Sequence, residues 1–232
     1  MIRIGDYWGR KYDYLKNTFS YIKFKGLIGV KLVNWRKSVE AISDPFMYIQ
    51  EGFIPSPGEV ILDIGSQFGD YALIWEKKFG CRVYSFEISY ENFTILKKNL
   101  EINRSGIKAY NLAVGNGDEI EFVFDGSMFK KEDNGKPVRT VRLDEWVREN
   151  DVTPETLKID VEGAEYEVLQ GAEETISAVR PKIILETHSR SLRDKCDRFL
   201  REKGYSLVNQ GRTIYSKTGY MDEVTNLFYL PN

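Results

Sequence analysis

Apolar positions recur along this chain with two different periods. VILDIG (60–65) is a short apolar run closed by glycine, and in YALIWEKKF (71–79) Ala72, Trp75 and Phe79 keep helical spacing up to Gly80. RVYSFE (82–87) reads as a second strand. SYENFTILKKNLEIN (89–103) sets Phe93, Leu96 and Leu100 on one helical face, and IKAYNLAV (107–114) reads as a third strand. Strand, helix, strand, helix, strand predicts βαβ units on a parallel sheet, with crossovers that are right-handed almost without exception. From 119 the rhythm changes. IEFVF (120–124) alternates, DGSMFKKEDNGKP (125–137) is polar and VRTVRLDEWV (138–147) begins as a strand, which predicts an inserted hairpin over about 119–142. LKIDVEGAEYEVLQGA (157–172) restores the strand–helix alternation. PKIILETH (181–188) adds a strand and SLRDKCDRFLREKG (191–204) a helix, and YSLVNQGRTIYSK and NLFYLPN read as antiparallel strands at the sheet edge.

Residues 1–51 precede this pattern as a helical extension with Tyr14, Phe19, Ile22, Leu27 and Val30 among its apolar positions. FIPSPGE (53–59) ends it, because each proline biases the preceding residue away from helix. The α/β body therefore spans 52–232. Residues 1–44 carry nine Lys/Arg against four acids, a balance of +5, and the other 24 Lys/Arg and 31 acids give −7. A solvated helical face against an acidic body accounts for that asymmetry; a basic, aromatic lip for an anionic or sugar-like substrate is the sharper reading.

With 232 residues, 42% hydrophobic, the chain can bury one full core. No apolar run reaches the roughly 18 residues that span a bilayer, and MIRIGDYWGRKYDY lacks a signal-peptide core, so the expectation is a cytoplasmic protein without a membrane span. Cys81 and Cys196 are too few for a disulfide framework and read as reduced thiols. A pI near 5.7 and the lack of a binding motif argue against nucleic acid.

The first chemistry-bearing stretch is DIGSQFGD (63–70). It follows a buried strand and opens a helix, where Gly65 and Gly69 let backbone approach a ligand and N–H groups point at it. Glu87 ends the second strand, 22 residues after Gly65, where a carboxylate accepts hydrogen bonds from both ribose hydroxyls of an adenosine. These features suit NAD or S-adenosylmethionine alike. The nicotinamide fingerprint is missing, since 65–70 reads GSQFGD, and no Walker sequence is present.

VILDIGSQFGDYAL, FEISYENFTILKKNLEIN, NLAVGNGD and above all LKIDVEGAEYEVLQGA resemble the FkbM family of S-adenosylmethionine-dependent methyltransferases over about residues 52–190. The resemblance implies the class I methyltransferase fold. This is a Rossmann-like, doubly wound, seven-stranded, mostly parallel sheet in the order 3-2-1-4-5-7-6 with its last strand antiparallel. It also implies methyl transfer from S-adenosylmethionine to a hydroxyl of a small molecule or glycan. Carried onto this chain, Gly65 and Gly69 line the cofactor's amino-acid end and Asp63 supports the turn. Glu87, with Ile88 beside it, holds the ribose; Leu112 and Ala113 border the adenine. Asp160 stands beside the sulfonium and the acceptor. Ser66 and Gln67 depart from the family's usual Ala-Asn and change the side chains facing the methionine moiety.

A carboxylate at a buried strand end needs a compensating charge or hydrogen bonds. Asp160 therefore reads as facing a cationic cofactor, and Glu162, two residues on, faces the same side if the chain is still extended. Glu165 and Glu167 read as structural acids in the first turn of the next helix. His188, the sole histidine, ends the fifth strand, two residues from Glu186. The expected chemistry is direct displacement, with His188 or Glu162 as general base. A metal on Asp160 and Glu186 is a rival arrangement that the spacing does not demand, so no metal is expected. A nicotinamide-dependent oxidoreductase and a non-catalytic adenosyl-binding module are the alternatives, and homo-oligomerisation is left open.

Overall fold

The computed structural model describes residues 47–124, 129–131, 135–211 and 224–232. The helical extension expected over 1–51 lies outside them except for 47–51, which form turns and extended chain.

Seven strands make the central sheet: β1 (Val60–Ile64), β2 (Arg82–Phe86), β3 (Lys108–Tyr110), β4 (Thr156–Ile159), β5 (Lys182–Thr187), β6 (Tyr205–Gln210) and β7 (Thr225–Pro231). Their order is β3-β2-β1-β4-β5-β7-β6, with β7 antiparallel to both neighbours, as the family resemblance implies. The helices are α1 (Asp70–Ile74), which continues as a π-turn over Trp75–Phe79, then α2 (Tyr90–Ile102) and α3 (Leu143–Glu149). After β4 come α4 (Glu165–Gly171) and α5 (Glu173–Ala178), and α6 (Arg190–Glu202) follows β5. Ser89 and Ser189 cap α2 and α6 by accepting from Asn92 N and Leu192 N. Among the described residues no helix is long and apolar enough to cross a membrane.

Strand alternation divides the core into two layers. Leu62, Ile64, Leu157, Ile159 and Leu185 pack against Trp146, Val168, Ile176 and Leu200 on one face. Ile61, Val83, Ile184 and Phe228 pack against Leu73, Trp75, Leu96 and Tyr48 on the other. Each such aliphatic side chain contributes about 1.5–3 kcal/mol on burial. On the second face the same alternation brings Asp63, Lys158 and Glu186 up behind Ile61 and Ile184, with Asp63 and Lys158 directly paired in register. One face is thus apolar along its length, whereas the other turns charged at the carboxyl ends of the strands.

Two expectations need correcting. The third strand pairs only over 108–110, not 107–114, because the Asn111 side chain donates to the Glu87 and Ile88 carbonyls and draws the chain off the sheet. The insert is a three-stranded antiparallel sheet rather than a hairpin, with Glu119–Phe124 between Phe129–Lys131 and Lys136–Arg139. Its Ile120 and Phe122 pack on Ala164, Ile88 and Val161, so the insert is docked against the end of β4.

Candidate active site

The glycine turn after β1 is held by three kinds of contact. The Gly65 and Ser66 N–H groups both donate to the Phe86 carbonyl at 2.9 Å, and Ser66 Oγ donates to the Asp63 carbonyl at 2.7 Å. Gly65 has φ of 84°, and a Cβ there would lie 1.7 Å from the Asp160 carbonyl oxygen, so only glycine fits. Gln67, at φ of 48°, turns its N–H onto Glu87 Oε2 at 2.8 Å, and Ser89 N–H donates to Glu87 Oε1 at 2.8 Å. Burial pushes the Glu87 carboxyl up to about 7 against the pull of those two N–H donors.

Across β1 and β4 lies a buried polar cluster. Lys158 Nζ donates to the Gly65 carbonyl at 2.6 Å and pairs with Asp63 at 3.2 Å and Asp160 at 3.5 Å. Burial would lower the Lys158 pKa, but Asp63 and Asp160 outweigh it and keep the ammonium charged. The Tyr48 hydroxyl lies 3.0 Å from both Asp160 Oδ2 and Glu186 Oε2 and shares its proton between them. Burial, reinforced by Glu186, raises the Asp160 carboxyl; His188 and Lys158 overcome burial at Glu186 and lower it.

His188 stands at the centre of four carboxylates. Its Nδ1 is 2.8 Å from Glu165 Oε1, and its Nε2 is 3.4, 3.6 and 3.7 Å from Glu162, Glu186 and Asp160. Burial alone would lower its pKa, yet Glu165, Glu186 and Glu162 hold the ring well above its ordinary range. Glu165 is fully buried and also accepts from the Val161 and Gly163 N–H groups, so it folds the turn after β4 and orients the imidazole. The extended geometry assumed for Glu162 is not what forms. Its φ is 56°, and the left-handed turn at 162–163, rather than strand alternation, delivers its carboxylate. Burial pushes Glu162 up to about 7, Asp160 and Glu186 adding to it while His188 opposes. The Glu162 carbonyl accepts from Lys131 N–H of the insert at 3.1 Å, and Glu167 pairs with Lys131 Nζ at 2.5 Å.

One cleft joins these parts at the carboxyl ends of the strands. Asp63, Gly65, Ser66, Gln67 and Glu87 wall one end, together with Ile88, Leu112 and Ala113, and Asp160, Glu162 and Glu186 wall the other. Gly69 and His188 are not on that wall. Gly69 sits behind the turn, where a Cβ would lie 2.2 Å from Leu96, and His188 lies behind the carboxylates it orders. Sequence reasoning passed over Tyr48, Lys158 and Asp70. Lys158 had a signal, a lone charge in an apolar strand two residues before Asp160 and hence on the same face. Asp70 is buried at the cleft with Oδ1 lacking a hydrogen-bond partner among the described residues, and burial next to Asp63 pushes it up to about 8. Tyr48 had no signal, because it lies at the end of the segment read as a helical extension, and only the fold brings that segment against Asp160 and Glu186.

Comparison with known proteins bears on this arrangement. The chain is 30% identical over 139 residues to the hexuronic acid methyltransferase AglP of Haloferax volcanii, and that match spans 56% of each chain. The solved FkbM methyltransferase of Methylobacillus flagellatus superposes with a TM-score of 0.58 at 18% identity, over 88% of this chain and 57% of that one. The precorrin-6y C5,15-methyltransferase of Geobacter metallireducens gives 0.52 at 14% identity, over 87% and 91%, and shares the fold. Residues 63–207, from the glycine turn through β6, match the methyltransferase FkbM domain. A class I sheet that carries the glycine turn, Glu87 and the Asp160–Glu165 turn on its carboxyl edge, matched over more than half its length, belongs to the FkbM methyltransferase family.

Proposed function

We propose that this methyltransferase uses S-adenosylmethionine to methylate a hydroxyl on a sugar or glycan. The observation that carries the reading is the single cleft that joins the glycine turn and Glu87 to the Asp160 and Glu162 carboxylates. The first pair suits an adenosine and its amino-acid tail; the second suits a sulfonium and a hydroxyl. Similarity to a hexuronic acid methyltransferase supports a sugar as acceptor, on a chain spanning about half that relative's length.

In this reading Glu87 receives the ribose hydroxyls and the turn at 65–67 the methionine end. Asp70, buried and without a partner for Oδ1 among the described residues, accepts from the ammonium. Bound there, S-adenosylmethionine would supply the methyl group for direct displacement, the acceptor's O–C bond forming as the S–C bond breaks to give S-adenosylhomocysteine, and Glu162 would take the hydroxyl proton. Positioning in a closed site supplies most of the rate. Glu162 is the base rather than His188 because it stands on the cleft wall with no hydrogen-bond partner for Oε2 among the described residues, whereas His188 lies behind that wall with Nδ1 held by Glu165.

Calorimetric titration with S-adenosylhomocysteine, with NAD in a parallel cell, is the test. Micromolar binding of the first and none of the second is expected; binding of NAD alone overturns the reading. Glu162→Gln should lower kcat about 10²–10⁴-fold while leaving S-adenosylhomocysteine affinity nearly unchanged. Unaltered kcat would remove Glu162 from the mechanism.

A further inference from the structure

The cluster where β4 and β5 end holds more anions than its cations balance. Asp160, Glu162, Glu165 and Glu186 surround one histidine, and Lys158 is already shared with Asp63. Three of these side chains each have one donor atom engaged and one turned to a common point. Tyr48 engages Asp160 Oδ2 and Glu186 Oε2, and Glu165 engages His188 Nδ1. The opposite atoms, Asp160 Oδ1, Glu186 Oε1 and His188 Nε2, converge, with the two oxygens 3.7 and 3.6 Å from the nitrogen.

Two further observations point to a ligand at that point. His188 is only 6% exposed, yet the nearest of the described carboxylate oxygens to Nε2 is at 3.4 Å, longer than an ordinary N–H···O bond of about 2.7–3.2 Å. Glu162 Oε2, the atom at that distance, is itself buried with no hydrogen-bond partner among the described residues.

We propose that Asp160, Glu186 and His188 form a site for a divalent first-row transition ion. Their donor atoms lie within 4.8 Å of one another. With bonds of about 2.0–2.2 Å, donors around such an ion sit about 3–3.5 Å apart; the two oxygens are already close to that distance from Nε2, and side-chain shifts of up to about an ångström close the shell. An imidazole whose Nδ1–H is held by a buried carboxylate presents Nε2 as the ligand atom, the arrangement that recurs at metal-bound histidines. Mixed imidazole and carboxylate donors favour Mn²⁺, Fe²⁺ or Zn²⁺ over the all-oxygen preference of Mg²⁺ and Ca²⁺. Asp160 and Glu186 also wall the cleft, so the open side of the ion faces the acceptor, whose oxygen it would bind and acidify. That role rests on the methyl-transfer reading; the site itself does not. The sequence expectation had no metal here, because ligands from two strand ends leave no spacing signature.

His188 is the only histidine in the sequence, which makes the test specific. Tag-free protein, stripped with a chelator, is titrated with MnCl₂ and ZnCl₂ by calorimetry, and the Mn²⁺-loaded form is examined by electron spin-echo envelope modulation. One ion per chain, with modulation from an imidazole nitrogen, is expected. His188→Gln should abolish that modulation and weaken binding at least tenfold, and Glu186→Gln should weaken binding to a similar degree. Absence of saturable binding, or binding without imidazole coupling in the unmodified protein, overturns the site whether or not the variants fold. A protein that holds Mn²⁺ through imidazole but binds no S-adenosylhomocysteine upholds the site and counts against the methyl-transfer reading.

Discussion

At Gly65 the backbone of the first turn meets the end of β4 with no room for a methyl group. Gly65→Ala forces a left-handed φ on alanine and drives Cβ into the Asp160 carbonyl. It should lower the unfolding free energy by more than about 1 kcal/mol in urea denaturation and remove S-adenosylhomocysteine binding with it. Glu87 gives a prediction in pH. Its folded pKa, about 7, lies above the ordinary 4.5. Between those values the native state holds a proton that the unfolded chain releases. Stability from this group is therefore fully present below about 4.5 and falls as pH rises through about 7. In the proposed reading the ribose hydroxyls need the ionised carboxylate, so affinity should move the opposite way and tighten as pH rises through about 7. Lys158 is the charged neighbour that assists ionisation. Calorimetry with S-adenosylhomocysteine between about pH 6 and 8 checks this, and Glu87→Gln should flatten the profile; a flat profile in the unmodified protein sinks the ribose role. Glu87 was legible in the sequence because its place depends on a strand end at a set distance from a glycine. Lys158 was not read, because its meaning depends on Asp63 opposite it in the next strand.

Among the elements, α5 shows stability arising from outside local sequence. No side chain of its own caps it; Asp144 of α3 accepts instead from Thr175 N and Thr175 Oγ1 at 2.8 Å and from Glu174 N at 3.2 Å. Asp144→Ala should cost about 2–3 kcal/mol in urea unfolding, since it strands buried donors at a helix start. S-adenosylhomocysteine affinity should hold, because Asp144 does not line the cleft; an unchanged midpoint would mean that water replaces the cap. The principal helices and strands were legible from periodicity. The insert was harder. A central strand that pairs on both edges has the same alternation as one half of a hairpin, and the third strand shortened because a side-chain amide took over from the backbone ladder.

For the whole molecule, the cleft lies where five parallel strands end, so ligand binding should stabilise the sheet as a unit. At about a hundred times Kd, S-adenosylhomocysteine should add about 2.7 kcal/mol and raise Tm by roughly 5–10 °C, with NAD producing no shift in the same thermal scan. No rise at saturation would mean that the cleft does not bind it. The amino-acid order by itself determined the α/β class, the strand order through its family motifs, the glycine turn and the two carboxylates Glu87 and Asp160, because local periodicity and short spacings carry that information. Tertiary structure alone decided that Lys158, Tyr48 and Glu165 join Asp160, Glu186 and His188. Those residues come from separate segments, and only the strand register and the left-handed turn at Glu162 set the ångström distances on which charge, hydrogen bonding and ion binding depend.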